Sequence, residues 1–276
     1  MGERKKLKQA ILSVCLGIFS FFTVFPFIWM FLTSLKKLTQ IYQMPPKILP
    51  NPVMWENYIE AFQEFPFARA YLNSAIITVV GVSFFIITSA MSAYAFSKIS
   101  FPGRDGIFNF LLISLMIPFE VTMVPVLVIM KGFGLNNTLT ACIIYAVFAN
   151  TYGVFMIRQF IKGLPNDLIE SAVIDGCGHG RIFVKIVAPL IKAPVSALVI
   201  FNFITNWNNF MQPLVFLSSR EKYPVPLLLY MFQGTFTSRQ DLAMAAACIA
   251  ILPILVIYLI FQKNIIEGVA FSGLKA

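Results

Sequence analysis

Charge is scarce in this chain. Only 12% of its 276 residues are Asp, Glu, Lys or Arg, against about 25% in soluble globular domains. No polar segment is long enough to build a separate soluble core, so two water-soluble domains are excluded although the length would allow them. Histidine is almost missing. His179 stands alone, with no carboxylate and nucleophile beside it, so it makes neither a triad nor a metal site and reads as a solvated turn residue. The four cysteines, Cys15, Cys142, Cys177 and Cys248, are scattered and form no CxxC pair, which excludes a disulfide ladder. There is no GxxxxGK[ST] phosphate loop. Gly176, Gly178, Gly180 and Arg181 imitate one only faintly and follow no strand, so the chain does not hydrolyse ATP by itself. Low-complexity tracts and internal repeats are also missing.

What is abundant is apolar. Hydrophobic residues make up 58% of the chain and mean hydropathy is +0.80. Crossing a bilayer takes about 20 apolar residues in a helix. Six segments qualify: 12–34, 70–96, 107–130, 139–161, 193–217 and 242–261. Such continuous runs suit helices rather than the alternating strands of a barrel. The expected fold is an all-α integral membrane protein of about six transmembrane helices, in a single transmembrane domain covering 1–276. Arg4, Lys5, Lys6 and Lys8 precede the first span. That apolar run is too long for a cleaved signal and lacks a small-x-small site, so it reads as an uncleaved anchor.

Charge distribution sets the orientation. With the N-terminus inside, the inner segments hold 13 Lys and Arg and the outer loops 8: Lys36, Lys37, Lys47, Arg69, Lys131, Arg220, Lys222 and Arg239. The excess favours both termini inside. The net charge of +9 therefore reads as topology, not nucleic-acid binding. The longest inner loop is 162–192.

In that loop Pro165 suits a helix's first turn and Asp167 complements its dipole. Leu168, Ala172 and Asp175 are expected to share a face, with Ile169 and Val173 alongside. Gly176, Gly178 and Gly180 then break the helix and permit positive φ. A second amphipathic helix carries Ile182, Phe183, Ile186 and Val187 and ends near Pro189. The expectation is a helix–turn–helix on the inner membrane face.

The loop resembles the EAA motif of ABC importer permeases: E-A-A, three residues, G, nine residues, I-x-L-P. Here it reads Glu170, Ser171, Ala172, then Gly176, then Ile186, Ala188 and Pro189. The spacing is kept throughout; Ser171 replaces Ala and Ala188 replaces Leu. The resemblance covers nearly the whole chain and is nearest the carbohydrate-uptake, maltose-transporter-like branch. Ile117, Pro118, Phe119 and Glu120 with Pro125 resemble that branch's third span. Trp207, Asn208, Asn209 and Phe210 with Pro213 and Leu214 resemble its fifth. Leu252, Pro253 and the 262–275 tail also follow the pattern, and Ala276 departs from the usual terminal glycine.

The resemblance implies a type I ABC importer architecture in a prokaryotic cytoplasmic membrane. It implies a non-enzymatic permease subunit that moves a sugar or oligosaccharide by alternating access. Its partners would be a second homologous permease, two ABC ATPase subunits and an extracytoplasmic sugar-binding protein. The chain itself would hold no cofactor, since ATP and Mg would bind the ATPases. The 162–192 loop would be the coupling helix, with Glu170, Ser171, Ala172, Asp175, Gly176, Ile186 and Pro189 serving ATPase coupling. A permease for another small polar solute and a secondary transporter are the alternatives. A secondary transporter would carry several ionisable residues within its spans, and only Glu120 qualifies.

Two groups of polar residues in the spans are candidates for the solute path. Glu120 is the one carboxylate deep in an apolar run. Asn202, Asn206, Asn209 and Pro213 fall at i, i+4, i+7 and i+11, a single helical face beside Trp207. Amides suit sugar hydroxyls and an indole offers a flat apolar surface; inter-helix hydrogen bonding is the competing use. In the first outer loop Trp55, Tyr58, Ile59 and Phe62 form an amphipathic stripe. It suits a short helix resting on the outer interface, with contact to an external binding protein as the other use. With this orientation a membrane-impermeant maleimide is expected to label Cys177 only after cells are opened. Labelling of Cys177 from outside sealed cells would reverse the topology.

Overall fold

The computed structural model describes residues 2–64, 66–148, 150–235 and 239–273, with side chains at all of these except 2–5, 7, 64, 233–235 and 261–273. The tail pattern at 262–275, Ala276, and the charges of Arg4, Lys5, Lys263 and Lys275 lie outside the described side chains. Among the described residues the regular structure is helical throughout. Among the described residues four helices are long and apolar enough to cross a membrane: Lys8–Ser34, Phe67–Lys98, Leu139–Lys162 and Gln240–Ile260. The number rises to as many as six if each of two bent pairs is one span, Arg104–Ser114 with Phe119–Gly132 at 105° and His179–Leu190 with Lys192–Trp207 at 78°.

The bends correct two of the expected continuous spans. Span three is interrupted at 115–118. Pro118 has no amide hydrogen and pushes Ile117 away from helical geometry, so the helix ends before it and restarts at Phe119. Span five stops at Trp207 instead of running to 217, and a separate short helix, Met211–Phe216, follows. Pro213 cannot bond the carbonyl of residue 209, which places the interruption there.

Contacts gather the chain into two units, Met1–Pro66 with Leu229–Leu252, and Phe67–Leu228 with Pro253–Ala276. In the first, the large apolar side chains of Lys8–Ser34 from Ile11 to Ile28 are exposed, as befits a helix solvated by lipid. Its Ser34 end is tied down by polar groups. Asn57 donates to the carbonyls of Ser34 and Lys36 at 2.8 and 2.9 Å. The buried Lys36 donates to the Lys47 carbonyl at 2.7 Å and lies 4.5 Å from the Trp29 ring centre. The helix Glu56–Glu64 therefore buries Asn57 and Ala61, while Trp55, Ile59 and Phe62 face outward. The expected aromatic stripe thus faces outward, apart from half-buried Tyr58, whose hydroxyl lies 2.7 Å from Ser34 Oγ. The orphan carbonyls ending the first span recruit an amide instead.

In the second unit, Phe67–Lys98 packs along span four and Lys192–Trp207. Small residues set the approach. A Cβ placed on Gly153 would fall 2.5 Å from Ser89 Oγ and 2.7 Å from Phe85 Cζ, whereas one on Gly81 would meet Ala146 Cβ at an ordinary 3.5 Å. Close packing of this kind takes the place of a hydrophobic driving force between helices in lipid. Gly153→Ala is accordingly expected to cost about 1–3 kcal/mol of stability, and Gly81→Ala very little. Thermal unfolding of the assembled protein checks this, and equal Tm values for the two variants would contradict it.

Candidate functional site

The 162–192 loop folds as a helical hairpin. Span four ends at Lys162, and Asn166 accepts the amides of Ile169 and Glu170 at the start of the helix Asp167–Ile174. Lys98, at the end of span two, donates to the Leu164 carbonyl at 2.8 Å and to Asn166 Oδ1 at 2.6 Å, which fixes the start of this helix. Its far end closes in a Schellman turn. Cys177 N–H donates to the Ala172 carbonyl and Gly176 N–H to the Val173 carbonyl, both at 2.9 Å, with Gly176 at φ +77°. Of the three glycines expected to permit positive φ, only Gly176 uses it; Gly178 is extended, at φ −73° and ψ 157°.

The second arm runs from His179 through a π turn at Phe183–Val187 to Leu190. Pro189 supplies no amide to the Lys185 carbonyl, and the hydrogen-bond ladder widens next to it. His179 is exposed, as expected, but has a partner: its Nδ1 lies 3.1 Å from the Tyr94 hydroxyl.

The hairpin faces two ways. Ile169, Ala172, Ile182 and Val187 are buried in a cluster with Ala93, Phe108, Ile157 and Ile161, and half-buried Ile186 and Cys177 pack against it. Leu168, Val173 and Ile174 point outward, Ile174 being 86% exposed, along with Glu170, Ser171, Asp175, Gly176 and Pro189. The helix is thus rotated from the expected face: Ile169 and Ala172 pair inward, and Leu168, Val173 and Asp175 point out. The Lys98 staple and the tight turn set that rotation. The outcome is an exposed apolar patch beside acidic side chains, the make-up of a protein docking surface.

The expected single face of span five is divided. Asn202 and Asn206 lie on the helix, Asn209 in the break and Pro213 on the next helix. Asn206 Nδ2 donates to Asn202 Oδ1 and to the Asn202 carbonyl at 2.8 and 2.9 Å. Asn209 Oδ1 accepts the Gln212 amide at 3.2 Å and so caps the restarted helix. Trp207 is 5% exposed, stacked on Phe203 and tilted against Tyr71. Asn206, Asn209 and Gln212 line a void of about 10 Å³ with Ser74 and Thr78. In this conformation that void has room for about one water and none for a sugar ring.

The bend in span three opens a larger space. A groove of about 510 Å³ is lined by residues including Ser114, Ile117, Thr122, Met130, Tyr145 and Thr151. Glu120 sits exposed in the first turn of Phe119–Gly132, where the half-helix dipole favours a carboxylate.

Two polar anchors, one in each unit, carry no motif in the sequence. Asn137, at φ 56°, accepts the amides of Ser218 and Ser219, donates to Ser219 Oγ, and offers its carbonyl to Lys222. The Asn136, Asn137 pair was its signal, since asparagine tolerates left-handed geometry. Arg239, counted only as an outer charge, forks between Glu60 (2.9 and 3.0 Å) and the buried Asp241 (3.0 and 3.1 Å). Its hydrogen bonds to Asp241 first, and to Glu60 next, hold its pKa above the ordinary arginine value.

Among the described residues, lipid-length helices, two bent helix pairs and a stapled hairpin with an exposed apolar patch beyond span four make up a polytopic membrane protein. The match to a protein family is correspondingly direct. Residues 86–270 match the model of the binding-protein-dependent transport system inner membrane component, and the chain belongs to that family. It is 33% identical over 268 residues to the arabinooligosaccharides transport system permease protein AraQ of Halalkalibacterium halodurans, covering 96% of both chains. It is 30% identical over 264 residues to the diacetylchitobiose uptake system permease protein NgcG of Streptomyces coelicolor, covering 95% of this chain and 87% of that one. Its fold matches a chain in the crystal structure of a bacterial ABC transporter that imports the acidic polysaccharide alginate. The TM-score is 0.81 at 23% identity, over 94% of this chain and 96% of that one. The family is one of transport components rather than enzymes, and its members are multi-pass and membrane-embedded.

Proposed function

We propose that this chain is the sugar-path permease subunit of an ATP-driven importer, moving a sugar or oligosaccharide across the cytoplasmic membrane by alternating access. The observation that carries the reading is the 162–192 hairpin: a docking surface locked by Lys98 and the Gly176 turn onto the inner ends of the spans. The uptake names of the relatives support a saccharide cargo. The assembly is completed by a second homologous permease, two ATPase subunits that bind ATP and Mg, and an extracytoplasmic binding protein. Both termini and the hairpin lie on the cytoplasmic side, an orientation supported by the inner excess of Lys and Arg.

Within the hairpin, Glu170, Ser171, Asp175, Gly176 and Pro189 belong to the exposed surface offered to the ATPase. Ala172 and Ile186 act from beneath, seating that surface on the cluster. A valine at 176 would have to adopt left-handed backbone, at about 1–2 kcal/mol before β-branching is counted. Gly176→Val is expected to insert normally yet lose at least tenfold in uptake and in ATPase stimulation by loaded binding protein. Gly180→Ala, in open space at ordinary φ, is expected to stay within twofold. Transport assays on reconstituted complexes decide this, and normal uptake by Gly176→Val would refute the coupling role.

The solute path runs past Glu120 and the break in span five, with Asn202, Asn206, Trp207 and Asn209 bordering it. Broken helices at mid-membrane leave polar backbone and side chains free to re-pair when the path opens. Asn209→Leu removes the cap on Gln212, at about 1–3 kcal/mol if the amide is left unpaired. It is expected to change uptake rate or sugar preference per assembled complex. Complexes that assemble poorly yet carry every sugar at the normal rate per molecule would move Asn209 from the path to the scaffold.

A further inference from the structure

Arg158 lies in span four, one turn before its end at Lys162, and is only 6% exposed. Its guanidinium does three things at once. Nε donates to the Phe96 carbonyl at 3.2 Å, Nη2 reaches Asp105 Oδ1 at 3.2 Å, and the guanidinium carbon lies 3.8 Å from the Phe108 ring centre. Phe96 belongs to the last turn of Phe67–Lys98, whose final carbonyls have no intrahelical donor. Asp105 and Phe108 belong to Arg104–Ser114, the inner half of the broken span three. One side chain therefore joins span four, the end of span two and half of span three.

Two residues beyond Phe96, Lys98 carries the tie on to the start of the hairpin. The cluster containing Phe108, Ile157, Ile161, Ile169 and Ile182 fills the space between them. This block ends abruptly at the 105° elbow of 115–118, beyond which lies the half-helix bearing Glu120. Asp105 is 67% exposed at its side chain, and so exposed an ion pair contributes little alone. The buried carbonyl and ring contacts need the planar fork of arginine, which lysine lacks.

We infer that Arg158 is a positioning residue for energy coupling: it fuses Arg104–Ser114 to the block carrying the hairpin, so that displacement of the hairpin moves this half-helix and the elbow at 115–118 bends. The assignment rests on the coupling role of the hairpin. It predicts a defect in the yield of transport per ATP, not merely in folding.

The test compares sugar moved per ATP hydrolysed by complete complexes in liposomes at saturating binding protein, with thermal stability measured in parallel. Arg158→Met is expected to hydrolyse ATP while its sugar-to-ATP ratio falls about tenfold. Arg158→Lys should fall between it and the wild type, and Asp105→Asn should fall less than Arg158→Met. A wild-type ratio in Arg158→Met, with or without a lower Tm, overturns the assignment and leaves Arg158 a packing residue. If Arg158→Met does not assemble, Arg158→Cys with Asp105→Cys, in a background lacking the four native cysteines, is bridged by a short bis-methanethiosulfonate. Recovery of the ratio on bridging supports the inference, and equal ratios before and after overturn it. Gly176→Val in the same assay separates the two readings. If it keeps normal uptake and normal ATPase stimulation by loaded binding protein, the hairpin's role falls and this assignment with it. If it loses them while Arg158→Met keeps the wild-type ratio, only the role of Arg158 falls.

Discussion

An amide or carbonyl left unpaired against hydrocarbon costs several kcal/mol, and this chain breaks its apolar helices at 115–118 and 208–210. The breaks survive because each finds its partners nearby. Through 115–118 the amides of Leu115, Met116 and Ile117 tighten onto the carbonyls of Leu112, Ile113 and Ser114. Through 208–210 the amides of Asn208 and Asn209 return to Ile204 and Asn206, and the Asn209 side chain takes the Gln212 amide. The amide-rich composition of span five follows from this need as much as from any cargo. The same economy governs the inner ends, where Arg158 meets the Phe96 carbonyl and Lys98 that of Leu164.

Once those groups are satisfied, the unit of 67–228 has a stiff region and places where it can bend. Its helix ends around Phe96, Arg158 and the hairpin are bound by charge-assisted hydrogen bonds and a continuous apolar cluster. The elbow at 115–118 and the turn before Lys192 carry large changes of direction on few residues, the usual form of a hinge.

The sequence made the long apolar helices and the motif spacing legible because both depend on local pattern alone: twenty apolar residues, or a glycine ten residues before an isoleucine. Pro118 and Pro213 are also visible, but as motif letters within apolar runs that read as continuous. Whether a proline kinks a helix or ends it depends on whether neighbours can pair the freed groups, and that is tertiary information. The face that Asp167–Ile174 buries is hidden for a related reason. Leu168, Ile169, Ala172 and Val173 are apolar most of the way round so short a helix, and the staple from Lys98 together with the Gly176 turn chooses which of them face inward. Arg158, Lys98 and Arg239 had entered only as positive charges; what each holds is set by residues brought close by the fold.

The first span has another consequence, for biogenesis. From Ile11 to Ile28 its large side chains are exposed on every side, so along that stretch its hold on the membrane comes from its own apolar surface, and only its Ser34 end is tied to later residues, by Asn57. It can leave the ribosome, enter the bilayer and stay there as an independent helix while the remaining spans are still being made. Its flanks also remain open to a neighbouring subunit long after synthesis ends, so an unassembled copy would present a greasy helix to the quality-control proteases of the membrane.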